Sequence, residues 1–198
     1  MLIYKVISLQ QATATQSDVP PFLFDERGQK SLNAGNEARR RETRAAYCLL
    51  HSLLVEQGLI AADSCPQIAH HEHGKPYLEE YPDLHFNLSH CHTGVAAIVS
   101  TDGEVGIDIE SRRKIKEALI HKVCSDDEAA AIAAADDPEL LFLHLWTRKE
   151  ALLKQIGTGI DRDLRPLLAP DNPILQTVAL ESHHLPELDG YLSLCYEK

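Results

Sequence analysis

The sequence predicts an α+β protein made of two halves of about a hundred residues each. Two observations carry this. The elements run strand, helix, strands, and then strand, helix, strands again. Each run contains one long stretch of helical periodicity, 37–57 in the first and 139–156 in the second, with β-rich runs on either side. A chain of 198 residues also suffices for one good core or two small ones. No sequence repeat relates the halves.

Residues 2–9, opening Leu2-Ile3-Tyr4-Lys5-Val6, read as an edge strand. Residues 10–35 are polar, carry Pro20-Pro21 and Gly28, and read mostly as loop with a short helix. From Glu37 to about Gln57, Ala45, Ala46, Leu49, Leu50, Leu53 and Leu54 recur at helix spacing; Asn36 is placed to cap the start and Gly58 to end the helix. Gly74-Lys75-Pro76-Tyr77-Leu78 reads as a turn into a short extended piece, and Phe86-Asn87-Leu88-Ser89-His90 as a strand end. Val95 to Ser100 and Val105 to Glu110 flank Thr101-Asp102-Gly103-Glu104 and read as a hairpin. Residues 115–134 read as one helix with an Ala-rich centre. Asp137-Pro138-Glu139 sets a capping Asp, a first-turn Pro and an acid at the positive end of a helix that runs to about Ile156, where Gly157 can stop it. Strands are expected at 174–181 and 190–196.

Composition narrows the function classes. Hydrophobic content of 44% and charged content of 25% are ordinary for a soluble globular protein. A formal net charge of −11 excludes a general nucleic-acid binder. No apolar stretch approaches the ~20 residues needed to span a bilayer, and the N-terminus lacks the basic and apolar regions of a signal peptide. The five cysteines are scattered without a CxxC pair, which predicts reduced thiols in a cytoplasmic protein. Arg39-Arg40-Arg41 with Arg44 form the densest basic group, either a solvated helix face or a surface that steers a polyanionic substrate.

Most chemical information lies in Gly106-Ile107-Asp108-Ile109-Glu110 and Trp146-Thr147-Arg148-Lys149-Glu150-Ala151-Leu152-Leu153-Lys154. On a strand, Asp108 and Glu110 share one face and Ile107 and Ile109 the other. On the helix, Glu150 and Lys154 sit one turn apart. Three carboxylates that converge make a hard-oxygen site suited to Mg²⁺, and a lysine beside them suits a phosphate. The blander alternative is a surface ion pair between Glu150 and Lys154, with Lys149 snorkelling out of the apolar arc. Ser89, His90 and Cys91 leave a serine or cysteine hydrolase open, although no GxSxG elbow is present. His70, His71 and His73 precede a turn and read as an exposed polar loop rather than a zinc site.

Taken in order, Gly74-Lys75-Pro76, Phe86-Asn87-Leu88-Ser89-His90, Gly106-Ile107-Asp108-Ile109-Glu110 and Trp146 to Lys154 resemble the 4′-phosphopantetheinyl transferase superfamily in its long, single-chain, surfactin-synthetase-activator form. The resemblance covers residues 74–154; the rest agrees in general character. It implies a pseudodimer of two similar α+β halves, 1–103 and 104–198, with the active site at their interface. It implies Mg²⁺-dependent transfer of phosphopantetheine from coenzyme A to a serine of an apo acyl or peptidyl carrier protein, releasing adenosine 3′,5′-bisphosphate. Asp108, Glu110 and Glu150 would hold Mg²⁺. Lys154 and His90 would contact the coenzyme A pyrophosphate, and Lys75 and Ser89 would help hold the 3′-phosphate end. Arg39, Arg40, Arg41 and Arg44 compete for the arginine that would contact the nucleotide, with Arg41 the choice, although Glu42 competes for the matching column. Catalysis would rest on Glu150, Lys154 and Asp108. A two-half chain contains the interface a smaller subunit would need a partner to make, so a monomer is expected, with neither nucleic acid nor membrane as partner. The rival outside catalysis is a module that binds coenzyme A or a carrier without turnover.

Overall fold

Strand β1 (Leu2–Ser8) enters the fold as an edge and runs antiparallel to β5 (Gly94–Ser100), from Leu2 opposite Ser100 to Ser8 opposite Gly94. On the other side of β5 lies β4 (His85–His90), so the sheet order is β1-β5-β4. The second sheet has the order β6-β8-β7, with β8 (Gly190–Glu197) between β6 (Val105–Ser111) and β7 (Val178–Leu185). A short hairpin, β2 (Ile68–His70) with β3 (Pro76–Leu78), stands apart from both. The computed structural model describes residues 1–12, 29–30, 33, 36–159 and 163–198. Most of the segment expected as loop at 10–35 therefore lies outside the described residues; its first three, 10–12, belong to the short helix α1 (Leu9–Ala12).

One long helix covers each sheet. Helix α2 (Glu37–Glu56) starts where Asn36 Oδ1 accepts from the Ala38 N–H at 3.0 Å, and ends before Gly58, whose φ is 67°. It buries Ala45, Ala46, Leu49, Leu50, Leu53 and Leu54, the stripe its periodicity predicts. These residues form one core with Phe86, Val95, Ala97 and Val99 of the first sheet. Three further helices follow in sequence, α3 (Glu117–Val123), α4 (Asp126–Ala134) and α5 (Pro138–Ile156). Phe142, Leu143, Ala151, Leu152 and Leu153 of α5 share a second core with Val178 and Cys195. The opposite faces of the two sheets meet in a third core, Ala96 and Ile98 against Ile107, Ile109, Leu192 and Leu194. Strand β5 is buried along its whole length because its alternate residues serve different cores.

The sheets also meet edge to edge. An edge strand leaves every other backbone N–H without a ladder partner. Along β6 the N–H groups of Ile107 and Ile109 donate instead to side chains of β4, Asn87 Oδ1 at 3.3 Å and Ser89 Oγ at 3.2 Å. Those two bonds set β4 and β6 side by side.

Three expectations are corrected. Val95–Ser100 and Val105–Glu110 are not a hairpin, because both edges of β5 are already occupied by β1 and β4; residues 101–104 cross from one sheet to the other, and within the two three-stranded sheets the hairpins are β4–β5 and β7–β8. The helix expected at 115–134 is two helices. Ser125 breaks it by accepting from the Glu128 N–H while the Glu128 carboxylate takes the Ser125 N–H, a capping box. Residues 174–177, expected as strand, form the helical turn α6 (Ile174–Thr177), started where Asn172 Oδ1 accepts from the Ile174 N–H, and the strand begins at Val178. Cys48, Cys65, Cys91, Cys124 and Cys195 are all free thiols. Among the described residues no helix is long and apolar enough to cross a membrane.

Candidate active site

Gly106 allows helix α5 to lie directly on strand β6. A Cβ at that position would collide with the Ala151 carbonyl oxygen and the Gln155 nitrogen of the helix. The contact brings Glu150 and Lys154 beside Asp108. Lys154 Nζ donates to three acceptors: Asp108 Oδ1 at 2.7 Å, the Ile107 carbonyl at 3.0 Å and Ser89 Oγ at 3.0 Å. Ser89 in turn donates to Asp108 Oδ1 at 2.8 Å. The surface pair between Glu150 and Lys154 is thus absent: the lysine is tied to the strand carboxylate and Glu150 is buried without it. Lys149 does not snorkel either. Fully buried, it donates to the Val123 carbonyl at 2.7 Å and to Glu128 at 2.6 Å, tying α5 to the start of α4.

The acids are crowded and incompletely satisfied. Asp108 Oδ2 and Glu150 Oε1 are buried oxygens without a hydrogen-bond partner. Burial, and then the charge of Asp108, push Glu150 up to about 7; the same two causes in the same order raise Glu110. Glu110 Oε1 accepts from Trp146 Nε1 at 3.2 Å and from Arg113 at 3.4 Å. Among the described residues no three His, Cys, Asp or Glu side chains form a closed metal-ligand group. Mg²⁺ does not require one, since it commonly takes one or two carboxylates and completes its shell with water and substrate phosphate. Crowded oxygen donors with orphaned buried atoms fit such an ion, and a soft metal would find no thiolate among them.

A cavity of about 580 Å³ opens over this cluster. Arg39, Thr43, Ala46 and Tyr47 of α2 line one wall. His70, His73, Gly74, Lys75 and Pro76 of the β2–β3 hairpin line another, with Asn87 to His90 on the floor and Asp108, Glu150, Leu153 and Lys154 beyond them. It therefore lies between the two long helices, over the seam where β4 meets β6. His90 Nδ1 pairs with Glu42 at 3.2 Å, and burial lowers its pKa despite that carboxylate. Lys75 is buried; its ammonium pairs with Glu104 and donates to the Gln155 carbonyl at 2.5 Å, and burial lowers its pKa.

Asp108, Ser89, His90, Lys75, Glu150 and Lys154, expected from sequence, all line this cavity. Glu110 is joined to it through Asp108. Arg41 is exposed on α2 and is not among the lining residues, whereas Arg39 is. At ~100° per residue Arg39 shares a stripe with Thr43 and Ala46, and Arg41 points about 200° away. Thr43, Tyr47, His70 and His73 were not foreseen as lining; the helix stripe through Thr43 was the available signal. Ser89 and His90 are bonded to Asp108 and Glu42 rather than to each other, and Cys91 Sγ lies 3.4 Å from Thr93 Oγ1, so no nucleophile–base pair of a hydrolase is formed.

Comparison with known proteins agrees. The 4′-phosphopantetheinyl transferase superfamily matches residues 104–183. The 4′-phosphopantetheinyl transferase AcpT of Salmonella typhimurium is 35% identical over 90% of this chain and 90% of its own length. The transferase ffp of Bacillus subtilis is 28% identical over 94% of this chain and 84% of its own. The transferase psf-1 of Bacillus pumilus is 38% identical over 57% of this chain, a match that spans about half, 49%, of that relative. With the four motifs gathered around one cavity and a relative this similar along nearly its full length, the chain belongs to the 4′-phosphopantetheinyl transferase superfamily.

Proposed function

We propose that this protein transfers 4′-phosphopantetheine from coenzyme A to a serine of an apo acyl or peptidyl carrier protein, with Mg²⁺ as cofactor, releasing adenosine 3′,5′-bisphosphate. One observation carries the reading. Asp108 and Glu150 line a cavity beside Lys154, each with a buried oxygen that lacks a partner, and Glu110 follows Asp108 on the same strand face.

Asp108, Glu110 and Glu150 would hold Mg²⁺ together with the coenzyme A pyrophosphate. When bound, the ion would supply positive charge to offset the negative charge developing on the phosphate oxygens. Lys154, already fixed by three acceptors, presents its charge to the same phosphates. His90 stands beside them on the cavity floor. Arg39 replaces Arg41 as the arginine facing the nucleotide. Lys75 reaches the 3′-phosphate end by exchanging its Glu104 partner for the ligand, while Ser89 acts through the hydrogen bonds that orient Asp108 and Lys154. The carrier serine oxygen bonds to the phosphorus attached to pantetheine as the bond to the bisphosphate breaks, and the serine proton would pass to a basic oxygen of the site, for which the Glu150 carboxylate is the candidate among these side chains.

The architecture supports a pseudodimer with halves 1–103 and 104–198. Each sheet is built from a first strand, a long helix and two further strands, and in each the last strand lies at the centre. On the metal side, exposed Arg113, Lys114 and Lys116 follow β6 and suit an acidic carrier surface. No second copy is needed to complete the cavity, which supports a monomer.

Intact-mass spectrometry tests the proposal. The protein is mixed with coenzyme A, Mg²⁺ and a panel of apo carriers, with an EDTA control. A gain of one phosphopantetheine on a carrier, lost with EDTA, is expected. Coenzyme A binding with no gain on any carrier would leave the non-catalytic module as the better account.

A further inference from the structure

The chain has one tryptophan, and its indole N–H is spent on a carboxylate beside the active-site cavity. Trp146 stacks on Phe142 with ring centroids 6.1 Å apart and planes 12° from parallel, so the indole is held by packing on its own helix. Its Nε1 donates to Glu110 Oε1 at 3.2 Å, and Arg113 Nη2 donates to that same oxygen at 3.4 Å. Glu110 is thereby anchored from α5 and from the segment that follows its own strand. The arrangement at Asp108 is parallel: Ser89 and Lys154 both occupy Oδ1, and Oδ2 is left without a partner. In each carboxylate the two hydrogen bonds described converge on one oxygen. A side chain whose one oxygen is fixed presents the second in a set direction, which is how outer groups orient metal ligands.

We propose that Trp146, with Arg113, is a positioning residue that locks Glu110 in the orientation in which it binds the divalent cation. This rests on the metal reading given above. The indole therefore reports on the metal as well as holding its ligand, because occupation of Glu110 changes the field at the only tryptophan in the protein.

The test uses Mn²⁺ titrated into the protein with coenzyme A, bound ion being counted by loss of the free Mn²⁺ electron paramagnetic resonance signal. Trp146→Phe keeps an aromatic ring beside Phe142 and removes the N–H donor together with part of the indole surface. It is expected to bind Mn²⁺ about tenfold more weakly or worse, with native circular dichroism and unchanged metal-free coenzyme A binding. Arg113→Met is expected to weaken Mn²⁺ further in the Trp146→Phe background. Wild-type affinity in Trp146→Phe, alongside clear weakening in Glu110→Gln, would overturn the inference and leave the metal reading standing. No weakening in Glu110→Gln would overturn both. A second measurement needs no change at Trp146. Mg²⁺ added to the coenzyme A complex is expected to alter the tryptophan emission of the wild type and not of Glu110→Gln; emission indifferent to saturating Mg²⁺ in the wild type would overturn the coupling.

Discussion

Asp108 carries more of the site than any other single residue, since it meets Ser89, Lys154 and the unpartnered oxygens at once. Asp108→Ala and Glu150→Ala should each give no detectable transfer while circular dichroism and melting stay close to wild type; near-normal turnover in both would remove the metal assignment. Lys154→Ala should slow transfer by about a hundredfold, and unchanged kinetics would reduce this lysine to a brace for Asp108. Arg39→Ala should raise KM for coenzyme A about tenfold, the worth of one hydrogen bond to a charged group, with Arg41→Ala unchanged; the reverse ranking would return the nucleotide contact to Arg41. At this scale the acids and Lys154 were legible because a two-residue strand period and a four-residue helix period fix which side chains share a face. The partners of Lys75 and His90 were not. Glu104 lies 29 residues beyond Lys75 and Glu42 lies 48 before His90, and no local pattern announces contacts at that separation.

Helix α5 is an element held at its start and its middle by charged groups. Asp137 caps it through Leu140 N at 3.0 Å and takes a bidentate bond from Arg112, which also reaches Asp189. The Arg112 bonds, and then the Leu140 N–H, lower Asp137 from 3.8 to about 2. A depressed carboxyl stabilises the fold above its ordinary value and loses that contribution as pH falls toward the folded value. Asp137→Asn keeps an N-cap side chain and removes the charge. It should melt below wild type above about pH 4 and converge with it toward about pH 2; a difference independent of pH would assign the effect to the cap alone. In the middle of the helix, Lys149→Ala should cost about 2–5 kcal/mol in urea unfolding, because it empties the space of a fully buried side chain and leaves half-buried Glu128 with only the Ser125 N–H. A loss under about 1 kcal/mol, the range of a surface pair, would contradict that geometry. Periodicity located both long helices. It missed the break at Ser125, because residues that can continue a helix stand on both sides of it, Ala-rich on the far side, and only the Ser125–Glu128 reciprocal bonds mark the stop.

For the molecule as a whole, the seam between the sheets decides whether the parts of the site meet. Gly106→Ala should lift α5 from β6, lowering both melting temperature and transfer rate; a variant with wild-type values for both would show that the helix adjusts without cost. The two-half order of elements was legible, but which strands pair was not. Turn chemistry at 101–104 argues for a hairpin on local grounds, and only the global fact that β1 and β4 have taken both edges of β5 excludes it. The central position of the last strand in each sheet also sets a timetable. On the ribosome, β1 must wait for residues 94–100 before it has a strand partner, and β6 waits through about eighty further residues for 190–197. At about 5–20 residues per second, the acidic strand spends seconds unpaired beside a first half that is already free to fold. The stretch 190–197 contributes no residue to the cavity, yet its emergence is the event that lets the catalytic half close.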